Sequence, residues 1–155
     1  MSRSLEHQLE VSRLETLYEQ SSSAVLANFL CGLGVFAILP KGPFIATWAV
    51  LLITTLLARG WLYRRFRRAP TEHLDPARWF RLYGCAIAVT GSLWGAVGAY
   101  AAHAPTLGDA FFTVAVLVGL VGGSVATCAV SPAIFLAFTA PTLLPPSIAL
   151  MLMGD

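Results

Sequence analysis

The chain has 155 residues, of which 57% are hydrophobic and only 12% charged, with a mean hydropathy of +0.72. Soluble domains carry about 25% charged residues, so the composition excludes an ordinary soluble enzyme and leaves room for one membrane bundle without a separate soluble domain. The net charge of +2 is small, but seven of the ten Lys and Arg residues fall within residues 59–81, and phospholipid headgroups, not nucleic acid, are the expected partner of that basic stretch.

Taken in order, residues 4–20 (SLEHQLEVSRLETLYEQ) hold no Gly or Pro and favour a helix. Val11, Leu14, Leu17 and Tyr18 share one broad face, while Leu5 and Leu9 fall on the other side. Residues 1–22 are read as a juxtamembrane helix that lies on the membrane surface or leads into the first span; a dimerising or output-coupling helix is the alternative. Residues 23–155 are read as the transmembrane bundle. No signal peptide is expected, because the first apolar run follows some twenty polar residues and lacks a convincing cleavage site.

The first span covers residues 23–39, short of the ~20 residues a crossing takes, so part of the preceding helix is expected to extend into it. Pro40 to Pro43 make a turn. The second span covers 44–63, with Trp61 and Tyr63 at its basic end, where an interfacial aromatic belt belongs. Arg59, Arg64, Arg65, Arg67, Arg68, Arg78 and Arg81 are assigned to topology and lipid headgroups. Basic residues that flank apolar spans stay cytoplasmic, so the N-terminus and the basic loop are placed inside and the 40–43 turn outside. Asp75 and Pro76 form an N-cap and first helical residue, and Trp79, Phe80 and Tyr83 are placed at the interface.

The third span, 82–102, carries the most regular pattern. Gly84, Ala88, Gly91, Gly95, Gly98 and Ala102 recur at steps of four, three, four, three and four and stay on one face. The fourth span, 110–130, places Ala115, Gly119, Gly122, Gly123 and Ala126 on one face. Both contain a GxxxG pair, and small residues let helices approach closely in lipid. A short loop joins the two spans, so their small faces are expected to meet; a homodimer seam is the alternative use of the third span's stripe. The fifth span, 133–153, contains Pro141, Pro145 and Pro146, which remove backbone donors; Thr142 and Ser147 are candidates to satisfy the freed groups.

Chemistry is sparse. No ionisable residue is placed well inside a span, which disfavours an ion-coupled transporter. His7, His73 and His103 lie at or beyond span ends, so no haem is expected, and Cys31, Cys85 and Cys128 sit in apolar runs without metal-ligand spacing. Ser124 lacks the intramembrane His that a protease needs. No catalytic residue, cofactor or metal site is assigned. The candidates for sensing are Asn28, the most polar side chain of the first span, and His103 and Asp109 at the outer boundary.

The strings LYEQ, ARWFR, GSLWGAVG, GLVGGSVAT and SPAIFLAFTAPTLLP resemble the N-terminal membrane modules of bacterial signalling proteins, the diguanylate cyclases with GGDEF domains and the sensor histidine kinases. The resemblance covers nearly the whole chain. It implies a sensor or anchoring module of the inner membrane, able to dimerise, with a cytoplasmic output domain, a cyclase before a kinase, outside this chain. Such modules have an even number of spans, so a sixth is expected beyond the fifth. A small transporter or channel component is the alternative, with a path lined by Asn28, Thr54, Thr55, Ser92, Thr113, Ser124 and Thr127.

Overall fold

The computed structural model describes residues 2–69, 75–104, 106–128 and 131–152, with side chains for all of these except 2–8 and Thr127. The centre of the basic loop, the last residues of the fourth and fifth spans, and the side chains of Leu5 and His7 lie outside the described residues.

Five helices make the fold: α1 (Ser2–Ile38), α2 (Pro43–Arg67), α3 (Pro76–Ala101), α4 (Leu107–Cys128) and α5 (Pro132–Leu152). Each contains a window long and apolar enough to cross a membrane, and no strand occurs among the described residues. The chain is an all-α membrane helix bundle. Local signals set the helix ends. Pro43, Pro76 and Pro132 each open a helix, where the missing N–H costs nothing. The Asp75 carboxylate accepts from the Arg78 N–H at 3.3 Å, and the Thr106 hydroxyl accepts from the Asp109 N–H at 3.2 Å. At the far end of α1, the Lys41 ammonium donates to the carbonyls of Phe36, Ala37 and Leu39, a cation placed on the negative end of the helix.

The N-terminal helix leads into the first span, the extension expected from the shortness of residues 23–39. α1 is one unbroken helix of 37 residues, about 55 Å at a rise of about 1.5 Å per residue. A bilayer with its headgroups is about 40–45 Å thick, so the helix is longer than a crossing requires. No Gly or Pro interrupts residues 2–31, and nothing in the local sequence stops the first helical turn from continuing into the apolar run. The face that carries Leu14, Leu17 and Tyr18 is fully buried, while Leu9 on the other side is exposed.

The pairing of the small-residue stripes differs from expectation. α3 packs chiefly on α5, and only slightly on α4. A Cβ built on Gly91 would lie 2.5 Å from the Phe138 carbonyl oxygen, and one on Gly95 would overlap the Pro141 carbonyl. On Gly98 it would meet Leu117 and Pro146. α5 is the partner because its prolines make its backbone available. Pro145 has no N–H to give Pro141, so that carbonyl is free to turn toward Gly95. The Thr142 hydroxyl donates to Phe138 O at 2.7 Å, with Gly91 O at 3.3 Å, which joins the two helices where they are closest. Ser147 is exposed and Thr142 alone serves this contact. By contrast, a Cβ on Gly84, Gly119, Gly122 or Gly123 would meet nothing within 4 Å among the described residues. Among those residues these four glycines make no close helix contact, and the stripes of α3 and α4 do not meet.

At the end of the bundle bearing the basic residues, aromatic rings tie three helices together. Tyr18 of α1 stacks on Phe66 of α2 (centroids 4.1 Å apart, 8° between planes) and meets Trp79 and Tyr83 of α3 edge-on. Tyr83 is buried in this cluster, not interfacial, and its hydroxyl donates to Leu17 O at 3.4 Å. Deeper in, the Trp48 and Trp94 rings meet edge-on with centroids 5.5 Å apart. Trp94 Nε1 donates to Asn28 Oδ1 at 2.7 Å, and Trp48 Nε1 donates to Leu93 O at 2.8 Å.

This packing separates two otherwise equivalent substitutions. Gly95→Leu drives a side chain into the α5 backbone and should destabilise the protein in detergent by about 1–3 kcal/mol, the range of overpacked cores. Gly119→Leu should change stability by less than about 0.5 kcal/mol, as at an unpacked surface. Equal losses in unfolding titrations of the two variants would contradict the α3–α5 assignment.

Candidate functional site

Six of the seven arginines assigned to headgroups, Arg64, Arg65, Arg67, Arg68, Arg78 and Arg81, are exposed at one end of the bundle. Arg65 lies over the Trp61 ring at 5.2 Å and Arg67 over Tyr63 at 5.9 Å, an arrangement suited to an interfacial belt. The seventh, Arg59, is different. It is 3% exposed, on the face of α2 that carries Trp48, Leu52, Leu56 and Phe66 into the core. It precedes Arg67 by eight residues, about 12 Å along the helix. Arg59 is therefore an ionisable group buried in the protein within a candidate span, not a headgroup-facing residue of the basic loop. In sequence Arg59 adjoins the basic cluster; its helical register, in phase with Leu52, Leu56 and Phe66, is the signal that separates it.

A charge in apolar surroundings costs several kcal/mol unless it is paired. Among the described residues, the Arg59 guanidinium has Tyr83, to which it is hydrogen-bonded, and Cys128 beside it, and no carboxylate. Its Nε and Nη2 have no hydrogen-bond partner among the described residues. These two nitrogens form one edge of the guanidinium, with parallel N–H bonds, the edge that holds a carboxylate in a two-point contact.

Arg59 borders a cavity of about 350 Å³ walled by α1, α2, α3 and α4 with Phe138 of α5. Asn28 is the second polar group in the wall. Its Oδ1 is taken by Trp94 and one amide N–H by Ala24 O at 2.7 Å, which leaves its second amide N–H. Ser124 also lines the cavity, donating to Val121 O at 2.7 Å. Ala27, Ile87, Val116, Leu120 and Phe138 supply apolar wall. Gly119 and Gly123 line the same cavity. The small residues of α4 thus leave room beside α1 where larger ones would close it.

The remaining candidates do not converge here. His103 is exposed, with Nδ1 3.1 Å from Ala99 O, and Asp109 is half-buried near the start of α4. Neither lines the Arg59 cavity. Of the residues expected to line a transport path, Asn28 and Ser124 share the cavity. Thr54, Thr55, Ser92 and Thr113 each donate to the carbonyl four residues earlier on their own helix, and the Thr127 side chain lies outside the described residues. No group of three or more His, Cys, Asp and Glu placed to hold a metal occurs among the described residues. No protein-family model, no curated protein and no solved structure matches this chain.

The orphaned edge of Arg59 has a measurable consequence. An unsatisfied buried donor costs about 1–3 kcal/mol, so Arg59→Met should leave the fold intact and raise the unfolding free energy of the purified protein by a similar amount. A loss of stability of that size would mean that the guanidinium is satisfied inside the resting bundle.

Proposed function

We propose that the chain is a membrane-embedded sensor module of a bacterial signalling protein, in the inner membrane, with the N-terminus and the basic loop cytoplasmic. The exposure of six arginines at one end supports that orientation; the opposite turn has the single Lys41, which is spent on capping α1. The observation that carries the sensor reading is the path of α1. Residues 23–31 of this helix wall the Arg59 cavity, and the same unbroken helix bears Leu14, Leu17 and Tyr18 in the aromatic cluster at the basic end. A rigid helix shared by a cavity and a membrane face is a lever: an occupant that displaces its middle must tilt or rotate its end.

The module's output is a cytoplasmic catalytic domain, with a diguanylate cyclase before a histidine kinase, and the module acts as a dimer to bring two such domains together. Gly91, Gly95 and Gly98 of the α3 stripe are covered by α5, so the dimer contact uses another surface than these three. No catalytic residue, cofactor or metal is assigned to the module itself. A small transporter is the competing reading, and the two separate on the downstream product.

Reporter fusions after Gly42 and Gly108 should read as periplasmic and one after Thr71 as cytoplasmic; a periplasmic signal at Thr71 would overturn the orientation. In membranes holding the natural gene product, Arg59→Met should change output-domain activity at least ~5-fold, the lower end of ordinary coupling between sites. A product without an output domain that moves solute across vesicles would replace the sensor reading with the transporter.

A further inference from the structure

We propose that the Arg59 cavity is a binding site for a monocarboxylate with an apolar chain, a fatty-acid-like amphiphile that reaches it from the bilayer. The inference rests on the sensor reading for its purpose, and on the cavity alone for its chemistry.

Four features select this ligand class. The first is charge. One guanidinium faces no carboxylate among the described residues, so a single negative charge would neutralise it, whereas a dianion would leave an excess charge among apolar walls. The second is geometry. Nε and Nη2 are the two unpartnered donors, and their parallel N–H bonds match the two oxygens of a carboxylate. Both donors are shielded from solvent on a residue that borders the cavity, and a side-chain adjustment of the kind common on binding brings them to the ligand. The second amide N–H of Asn28, in the same wall, adds a further donor.

The third feature is the wall itself. Beyond Arg59 and Asn28 it is mostly apolar, and its volume of about 350 Å³ lies in the lower part of the ~300–1,000 Å³ range of small-molecule sites. That fits an alkyl chain and not a sugar or a nucleotide. The fourth is access. Ser23 and Ala27 of α1 and Gly119 and Gly123 of α4 line the cavity and are themselves exposed. The opening therefore lies on the flank of the bundle, between two membrane-crossing helices, where lipid and not water meets the protein. An amphiphile dissolved in the bilayer comes to this opening directly, and its carboxylate exchanges an interfacial position for a buried cation.

The test is direct binding to the chain in phosphatidylcholine nanodiscs, with carboxyl-labelled decanoate followed by ¹³C NMR. Wild type should bind one decanoate, and decanol, which keeps the chain and lacks the charge, should compete at least ~10-fold more weakly, since one charge-assisted two-point contact is missing. Arg59→Met should abolish the preference for decanoate over decanol. Gly123→Leu, which fills the open side of the cavity without touching Arg59, should weaken both. Equal competition by decanol in the wild type would overturn the role of the charge without requiring any variant. Displacement of decanoate by phosphatidylglycerol at matched concentration would overturn the carboxylate assignment in favour of a lipid phosphate. Decanoate binding with unchanged output activity would sink the sensor reading and leave the site standing. Absence of binding, with output still altered by Arg59→Met, would sink the ligand and leave the sensor reading standing.

Discussion

The bundle depends on the close approach of α3 and α5. In lipid there is no hydrophobic drive to bring helices together, so contact must come from packing and polar matching. Gly91, Gly95 and Gly98 supply a face with no side chains, and α5 supplies the carbonyls of Phe138 and Pro141 that fill it. The prolines of α5 are therefore constructive. Pro145 frees the Pro141 oxygen that a regular helix would keep to itself, and the Thr142 hydroxyl secures the joint. With α3 held against α5, the opposite side of α3 is left to meet α1 and α2 through Trp94, Tyr83 and Ile87.

That arrangement explains why a cavity exists at all. α4 is held mainly at its contacts with α1 and α5, and Cβ atoms built on its Gly119, Gly122 and Gly123 meet nothing within 4 Å among the described residues. Two identical-looking GxxxG motifs thus do opposite things. In α3 the motif excludes space, because a proline-bearing helix presses into it. In α4 it creates space, because no such helix is available. Motif spacing records only that one face lacks side chains; what occupies that face is decided by the neighbour.

Much of the fold was legible. Five apolar runs, their prolines and the Asp75 cap gave the five helices and most of their ends, and the Leu14, Leu17 and Tyr18 face pointed to the buried side of α1. The extension of the N-terminal helix into the first span was also legible, because residues 23–39 alone are short for a crossing. Helix pairing was read from loop length, which favoured α3 with α4 and missed the affinity of small faces for freed carbonyls. The site was the least legible part. Asn28 was singled out by its polarity, but Arg59 was absorbed into the basic cluster beside it, and only its register with Leu52 and Leu56 set it apart.

The buried guanidinium of Arg59 has no counter-charge among the described residues, and the proposed ligand, an acid from the membrane, would supply one. Native mass spectrometry of the protein released from its own membranes tests this most directly. The account predicts that wild type carries a bound small acid at up to one per chain, and that Arg59→Met, prepared in the same way, does not. A bare wild-type protein, or an identical adduct on both proteins, would contradict it.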